Sequence, residues 1–239
     1  MKKSVLIFLS ITFLISCSKP QANKTENEGY KPYWENEFTL SSDQKTFLDT
    51  LQYKTFLYFM NEINPQTGLV KDRSTKGSPA TIAAMGFALP IWAIGVEKGW
   101  ITRDQAADIT LGMMNFFINS DQSLDKLATG HNGFYYHFLD MNTGKRYWNS
   151  ELSSIDSGIL FCGMIFTRQY YSGDSEKEKA IRDLATKLLA RANYDFFAQK
   201  PDAKYPNAIS MGWHERDGGV MEISWWGYTE ALFLSLIHI

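Results

Sequence analysis

Three carboxylic acids are the residues best placed to transfer protons: Glu151, Asp156 and Glu230. Each lies in or beside a segment rich in aromatic and polar residues, and not on a charged helix face. Two carboxyl groups, one protonated and one ionised, can act as general acid and general base on the same bond. The three acids are therefore the candidate catalytic residues.

Two of these acids, Asp156 and Glu230, also have a simpler interpretation. Asp156 falls in the first turn of a predicted helix, where the helix N-terminus could balance its charge, and its alternative role is capping. Glu151 precedes that helix on a polar loop. Glu230 lies four residues after Trp226, so a helix would place both on one face, and a carboxyl beside apolar rings has the raised pKa that a general acid requires. The alternative for Glu230 is a helix-surface glutamate.

Other polar and aromatic side chains in the same loops are candidates for substrate contacts. Asp72 and Arg73 are adjacent and could bond neighbouring hydroxyl groups, or form an ion pair that fixes their own loop. His137 lies among aromatic residues. This position suits either a hydrogen-bond donor that faces the substrate or a core imidazole whose hydrogen bonds are made within the protein. The remaining candidates are a second acid and three aromatic residues that could stack on a ring: Glu215, Trp213, Trp225 and Tyr228.

Helical periodicity dominates the elements that must position these residues. Apolar residues at three- and four-residue steps predict an amphipathic helix from the Ser41-Ser42-Asp43 start to Ile63. Residues 79–98 predict a buried helix, interrupted or kinked at Pro90. Further helices are predicted at 102–119, 153–170 and 176–193, and from Tyr228 onward. Buried helices alternating with amphipathic ones predict an all-α fold with two concentric helical layers.

The N-terminal residues predict export and membrane attachment. Residues 1–17 contain two lysines, a short apolar run and Leu14-Ile15-Ser16-Cys17, which resembles the lipobox of bacterial lipoproteins. The resemblance implies acylation of Cys17 and a lipid-anchored protein at the outer membrane or on the periplasmic side. The alternative is an ordinary secretory signal. Residues 18–40 are polar and lack apolar periodicity, which predicts a flexible tether.

The C-terminal residues predict an interrupted domain. Residues 234–239 match a translated sequencing adaptor, although a genuine apolar helix end is the alternative. Two concentric helical layers are the arrangement of an (α/α) toroid. About six helices are predicted here, whereas a complete toroid has about a dozen. Residues 41–233 are therefore expected to form about the first half of a toroid, and the chain alone is expected to be inactive.

Composition excludes several classes of function. The formal net charge is -2, so the chain lacks the excess of lysine and arginine with which proteins bind nucleic acid. The four histidines and two cysteines lack metal-ligand spacing, and neither a phosphate loop nor a nucleophile elbow occurs. We therefore expect no metal and no organic cofactor. Aromatic residues make up 15%, which indicates either carbohydrate binding or packing between helices.

Several segments resemble the glucoamylase-like family that includes bacterial endo-β-1,2-glucanases. The resemblance covers about residues 42–233 and is carried mainly by residues 67–73, 133–140, 150–156, 209–213 and 225–231. It implies an (α/α)6 toroid and a glycoside hydrolase that acts on an oligo- or polysaccharide, with β-1,2-glucan as the first expectation. It also implies inversion by two carboxyl groups. The alternatives are an exo-acting glycosidase of another linkage and a non-catalytic glycan-binding lipoprotein.

Overall fold

A computed structural model describes residues 39–226 and residue 229. This part of the chain contains five α-helices: Ser42–Asn61 (α1), Ile82–Glu97 (α2), Arg103–Ile118 (α3), Ser154–Tyr170 (α4) and Glu176–Arg191 (α5). They agree with the predicted helices to within a few residues. The predicted signal peptide, most of the predicted tether, the helix predicted from Tyr228 and the last six residues lie outside the described part. None of the described helices has the length and apolarity needed to cross a membrane.

The helices of the compact unit that starts at Lys45 form two layers. In the inner layer, α2 and α4 pack along each other, while α3 and α5 pack together in the outer layer. The inner helices bury most of their residues, because apolar and small side chains cover nearly every face. By contrast, α5 buries a narrow stripe that contains Ile181, Ala185 and Leu188 and exposes charged residues elsewhere. This confirms the layered arrangement predicted for a partial (α/α) toroid.

The two inner helices touch through glycine backbones. A Cβ atom on Gly86 would lie 2.4 Å from the carbonyl oxygen of Ile159, and one on Gly163 would lie 2.4 Å from the carbonyl oxygen of Gly86. Pro90 lies inside α2 and has no N–H, so that same Gly86 carbonyl lacks its usual helical donor. Of the two alternatives predicted at Pro90, the interruption is wrong, since α2 continues from Ile82 to Glu97, and the kink stays a prediction.

Replacing Gly86 by alanine is expected to destabilise the protein by about 2–3 kcal/mol, because the added methyl group forces the inner helices apart. Gly112 in α3 is the matched control, since a Cβ there meets nothing within 4 Å. Gly112→Ala is expected to stabilise by up to about 1 kcal/mol through helix propensity. Chemical denaturation of both variants measures the difference, and equal effects would contradict the close backbone contact.

The loops between the helices contain short strands, which the sequence did not predict. The strands of the described residues are Ala80–Thr81 (β1), Gly130–His131 (β2), Phe134–Tyr136 (β3), Phe138–Leu139 (β4), Leu152–Ser153 (β5), Gly212–His214 (β6) and Gly219–Val220 (β7). Five of them form an antiparallel sheet in the order β2-β3-β5-β6-β7, and β1 pairs with β4. Runs of two or three residues are too short to show alternation in the sequence.

The strands bring the chain to the N-terminal ends of both inner helices. Thr81 ends β1 and is followed directly by α2, and Ser153 ends β5 and is followed directly by α4. The backbone N–H of Ile82, the first residue of α2, donates to the carbonyl oxygen of His137 at 3.1 Å. The two sheets therefore hold the polar loop residues against the starts of α2 and α4.

Candidate active site

His137 and Glu151 form a cross-strand pair at the centre of the site. Their backbones continue the antiparallel pairing of β3 with β5, and His137 N–H donates to the Glu151 carbonyl at 2.9 Å. Directly opposite residues project side chains to the same face of a sheet. The imidazole Nδ1–H accordingly donates to Glu151 Oε1 at 2.8 Å.

Asp156 approaches the imidazole from the other side. Its Oδ1 lies 3.7 Å from His137 Nε2, an ion-pair distance rather than a hydrogen bond. Ser153 holds the carboxylate, because its hydroxyl donates to Asp156 Oδ2 and accepts from the Asp156 backbone N–H. The helix cap is therefore Ser153, and the Asp156 side chain remains available to the imidazole.

The pKa values of Glu151 and Asp156 are shifted in opposite directions, although His137 acts to lower both. Burial raises the pKa of Asp156, and the opposing effects of His137 and Ser153 only partly offset it. Burial also acts to raise the pKa of Glu151, but the hydrogen bond and charge of His137, together with the Glu151 backbone N–H and nearby His214, outweigh it and lower that pKa. Burial acts to lower the pKa of His137, yet the carboxylates of Glu151, Asp156 and Asp72 together raise it.

Asp72 lies close enough to His137 to contribute to this raised pKa. Its backbone N–H donates to the Pro79 carbonyl at 2.8 Å, which places it beside the start of β1. Its side chain accepts from Arg73 Nε at 2.7 Å, and Arg73 is largely exposed. The two residues thus form the ion pair that was one of the two sequence interpretations, while Asp72 also adds negative charge to the site.

Glu215 lies in a separate ion pair with Arg146. The two side chains approach to 2.5 Å, and the guanidinium also donates to the Ser150 carbonyl at 2.6 Å. The Arg146 side chain is only 1% exposed, and its guanidinium lies 4.1 Å from the ring centroid of Tyr136. The hydrogen bond from Arg146 lowers the pKa of Glu215, although burial opposes it. This pairing gives Glu215 a structural role in addition to the predicted substrate contact.

The aromatic candidates border the sheet. Trp213 in β6 is paired in register with Leu152 and is half-buried near His131 and Phe196. The indole N–H of Trp225 donates to Ser154 Oγ at 3.1 Å, at the first residue of α4. The other predicted site residues, Cys17, Tyr228 and Glu230, lie outside the described residues.

Sequence reasoning missed two buried residues beside the site, Arg146 and His214. His214 Nδ1 accepts from the Arg216 backbone N–H at 2.9 Å, so its proton is on Nε2, which lies 3.0 Å from the Asn149 carbonyl. Both residues are polar side chains within strongly aromatic segments, and this feature could have marked them as candidates. Their partners are distant in sequence, so the contacts themselves could not be predicted. In residues 39–226 and at 229, no group of three or more His, Cys, Asp or Glu side chains could hold a metal ion.

Comparison with known structures places the described helices in the (α/α) toroid class. A glucoamylase-like protein of Bacteroides uniformis is 26% identical, with a TM-score of 0.69 over 84% of this chain and 47% of that chain. An endo-β-1,2-glucanase of Chitinophaga pinensis, solved with sophorotriose and glucose, is 20% identical, with a TM-score of 0.68 over 83% of this chain and 47% of its own. Because the identity with the endo-β-1,2-glucanase is only 20%, this second similarity concerns the fold alone.

A curated relative supports the same resemblance. The exo β-1,2-glucooligosaccharide sophorohydrolase of Parabacteroides distasonis is 23% identical over 207 residues, which are 84% of this chain and 27% of that protein. No family model matches the chain. The chain spans about half the length of the solved relatives above and about a quarter of the curated one. These similarities confirm the predicted resemblance to glucoamylase-like proteins related to β-1,2-glucanases.

Proposed function

We propose that the chain forms part of a glycoside hydrolase that acts on β-1,2-glucan. The observation that carries the proposal is the Glu151–His137–Asp156 cluster at the N-terminal ends of both inner helices. Its residues lie within segments that resemble glucoamylase-like proteins, and β-1,2-glucan is the substrate of similar proteins. Because the chain spans only part of those proteins, we assign the activity to a longer protein that contains this chain.

Within this proposal Glu151 is the general base. Its pKa is lowered, so it is ionised at neutral pH, and its side chain is about one-third exposed and reachable by water. A carboxylate that accepts a hydrogen bond from His137 is also held in one orientation. Both properties suit a group that takes a proton from an attacking water molecule.

Asp156 acts as a positioning residue in this scheme, because the imidazole of His137 lies between it and Glu151. A sugar therefore cannot occupy the direct line between these two carboxyl groups. An inverting hydrolase needs its acid and base on opposite sides of the scissile bond. The general acid accordingly comes from elsewhere in the protein, and Glu230, outside the described residues, is the candidate in this sequence.

The proposed reaction consumes one water molecule for each bond cleaved. Glu151 takes a proton from water as the water oxygen bonds to the anomeric carbon. The bond from that carbon to the leaving oxygen breaks, and the leaving oxygen receives the proton of the general acid. The proton on Glu151 then returns through solvent to the acid, which leaves both carboxyl groups in their starting states with inversion at the anomeric carbon.

The test uses the full reading frame that contains this chain, expressed without residues 1–17. The protein is incubated with linear β-1,2-glucan beside β-1,3-, β-1,4- and α-glucans, and product size and initial anomeric form are followed. We expect short β-1,2-linked products that appear first as the α-anomer. Release of a β-anomer would overturn inversion, and cleavage of another glucan alone would overturn the substrate.

Exo action is the second candidate, because the curated relative is described as an exo enzyme acting at the non-reducing end. A single disaccharide product from the start of the reaction would favour it, whereas a range of sizes would favour endo action. Glycan binding without turnover would move the protein to the non-catalytic class.

We also propose that Cys17 carries a lipid that anchors the protein at the outer membrane or on the periplasmic side. The support is the Leu14-Ile15-Ser16-Cys17 sequence after a short apolar run. Acyl chains on one residue can tether an otherwise water-exposed domain to a membrane surface. Mass spectrometry of the mature N-terminus tests this, and an unmodified N-terminus at another residue would refute it.

A further inference from the structure

Two consecutive residues beside the site adopt a backbone conformation that large side chains rarely take. Trp148 has a φ of 53° and Asn149 a φ of 54°, and the N–H of Ser150 donates to the Tyr147 carbonyl at 3.1 Å. This is a turn of the I′ class, in which both central residues are left-handed. Asparagine tolerates that region, but a tryptophan there is strained, because its Cβ crowds the backbone.

Buried side chains hold this turn from both sides. Arg146 Nε–H donates to the Ser150 carbonyl, and His214 Nε2–H donates to the Asn149 carbonyl. Both side chains are almost completely buried. Strain of this kind persists only when the surroundings over-determine the conformation, and it concentrates at functional sites.

The strained turn presents the exposed indole of Trp148 next to the Glu151–His137–Asp156 cluster. Trp148 is 65% exposed, although burial would be the usual fate of so large an apolar group. Its ring lies edge-on to Phe138, with centroids 5.4 Å apart. Phe138 in turn stacks flat on the imidazole of His137 at 3.9 Å. The phenyl ring of Phe138 therefore lies between the Trp148 indole and the His137 imidazole, which contacts both carboxyl groups of the cluster.

We propose that Trp148 is a sugar-stacking residue that binds one glucosyl ring of a β-glucan chain beside the Glu151–His137–Asp156 cluster. This inference rests on the proposed function and adds a substrate-binding residue to it. The apolar face of an indole suits the C–H face of a pyranose, while the indole N–H remains available to water or a hydroxyl. The strained turn serves to hold that face outward.

The test compares variants of the full-length protein on β-1,2-linked oligosaccharides. Trp148→Ala is expected to raise KM about tenfold with kcat within about twofold, because stacking is lost equally from substrate and transition state. Trp148→Phe is expected to keep KM within about threefold, since it retains a ring. Trp148→Asn is expected to raise KM as alanine does but to increase Tm, because asparagine relieves the backbone strain.

Phe166→Ala is the control, because it removes an exposed aromatic ring near the far end of α4, ten residues and about 15 Å along the helix from Asp156. It is expected to leave KM unchanged. An unchanged KM in both Trp148→Ala and Trp148→Asn would overturn the inference while leaving the hydrolase proposal intact. A fall in kcat at constant KM would also overturn it. Inactivity of the wild type on every glucan would instead overturn the proposed function.

Discussion

Replacing Glu151 by glutamine is expected to lower kcat about 10³-fold on β-1,2-glucan while the Kd for oligosaccharides stays within about threefold. The amide cannot take a proton from water, and general-base catalysis contributes about 10²–10⁴-fold. The amide oxygen can still accept the hydrogen bond from His137 Nδ1, so the cross-strand pair and the fold are kept. Steady-state kinetics and calorimetric titration of the same preparation measure the two quantities.

Glu222→Gln is the matched control for this experiment. Glu222 is an exposed acid in the loop that follows β7, so its replacement is expected to leave kcat within about twofold. Turnover that survives in Glu151→Gln would remove Glu151 from the mechanism. Loss of both turnover and sugar affinity would show that Glu151 binds substrate rather than activating water.

Replacing Glu215 by alanine is expected to destabilise the protein by about 2–3 kcal/mol. The change leaves the guanidinium of Arg146 buried without its counter-charge, and breaking a fully buried pair in this way costs about 3–5 kcal/mol. The smaller figure reflects the Glu215 side chain, which is 36% exposed, so that water can enter the space it leaves. Urea denaturation of the full-length protein gives the free energy of unfolding.

A double-mutant cycle separates the pair from the individual side chains. Arg146→Met, Glu215→Ala and the double variant are compared, and the double variant is expected to be less destabilised than the sum of the single changes. Glu176→Ala is the control, because Glu176 forms an exposed i,i+3 pair with Lys179 whose loss is expected to cost less than about 0.5 kcal/mol. Additive effects at Arg146 and Glu215 would contradict the coupling.

The helices could be predicted from the sequence because their signals are local. The boundaries of α3 and α4 follow Thr102 and Ser153, whose hydroxyls cap the next turn. The sheet could not be predicted in this way, because β3, β5 and β6 lie far apart in sequence and pair through two or three residues each. Tertiary packing rather than strand propensity forms them.

Part of the candidate site was also predictable, because some of its sequence signals are local. Glu151 and Asp156 were located by their position around a helix start, which is a local pattern. Their shared contact with His137 depends on the pairing of β3 with β5, and no spacing in the sequence reveals it. Arg146 was missed because its partner Glu215 is 69 positions away. A buried charge is recognised only when its surroundings are known.

The contact between the inner helices has a consequence for how this protein can evolve. Pro90 frees the Gly86 carbonyl from the helix ladder, and Gly163 leaves room for that oxygen on the neighbouring helix. Alanine at position 90 would restore a backbone N–H that draws the Gly86 carbonyl back into the hydrogen bonding of α2. A residue larger than glycine at position 163 would block the space that this carbonyl oxygen occupies. The effect of each substitution therefore depends on the other two residues, so these positions form an epistatic unit. Along a lineage, they are expected to change together or to stay fixed.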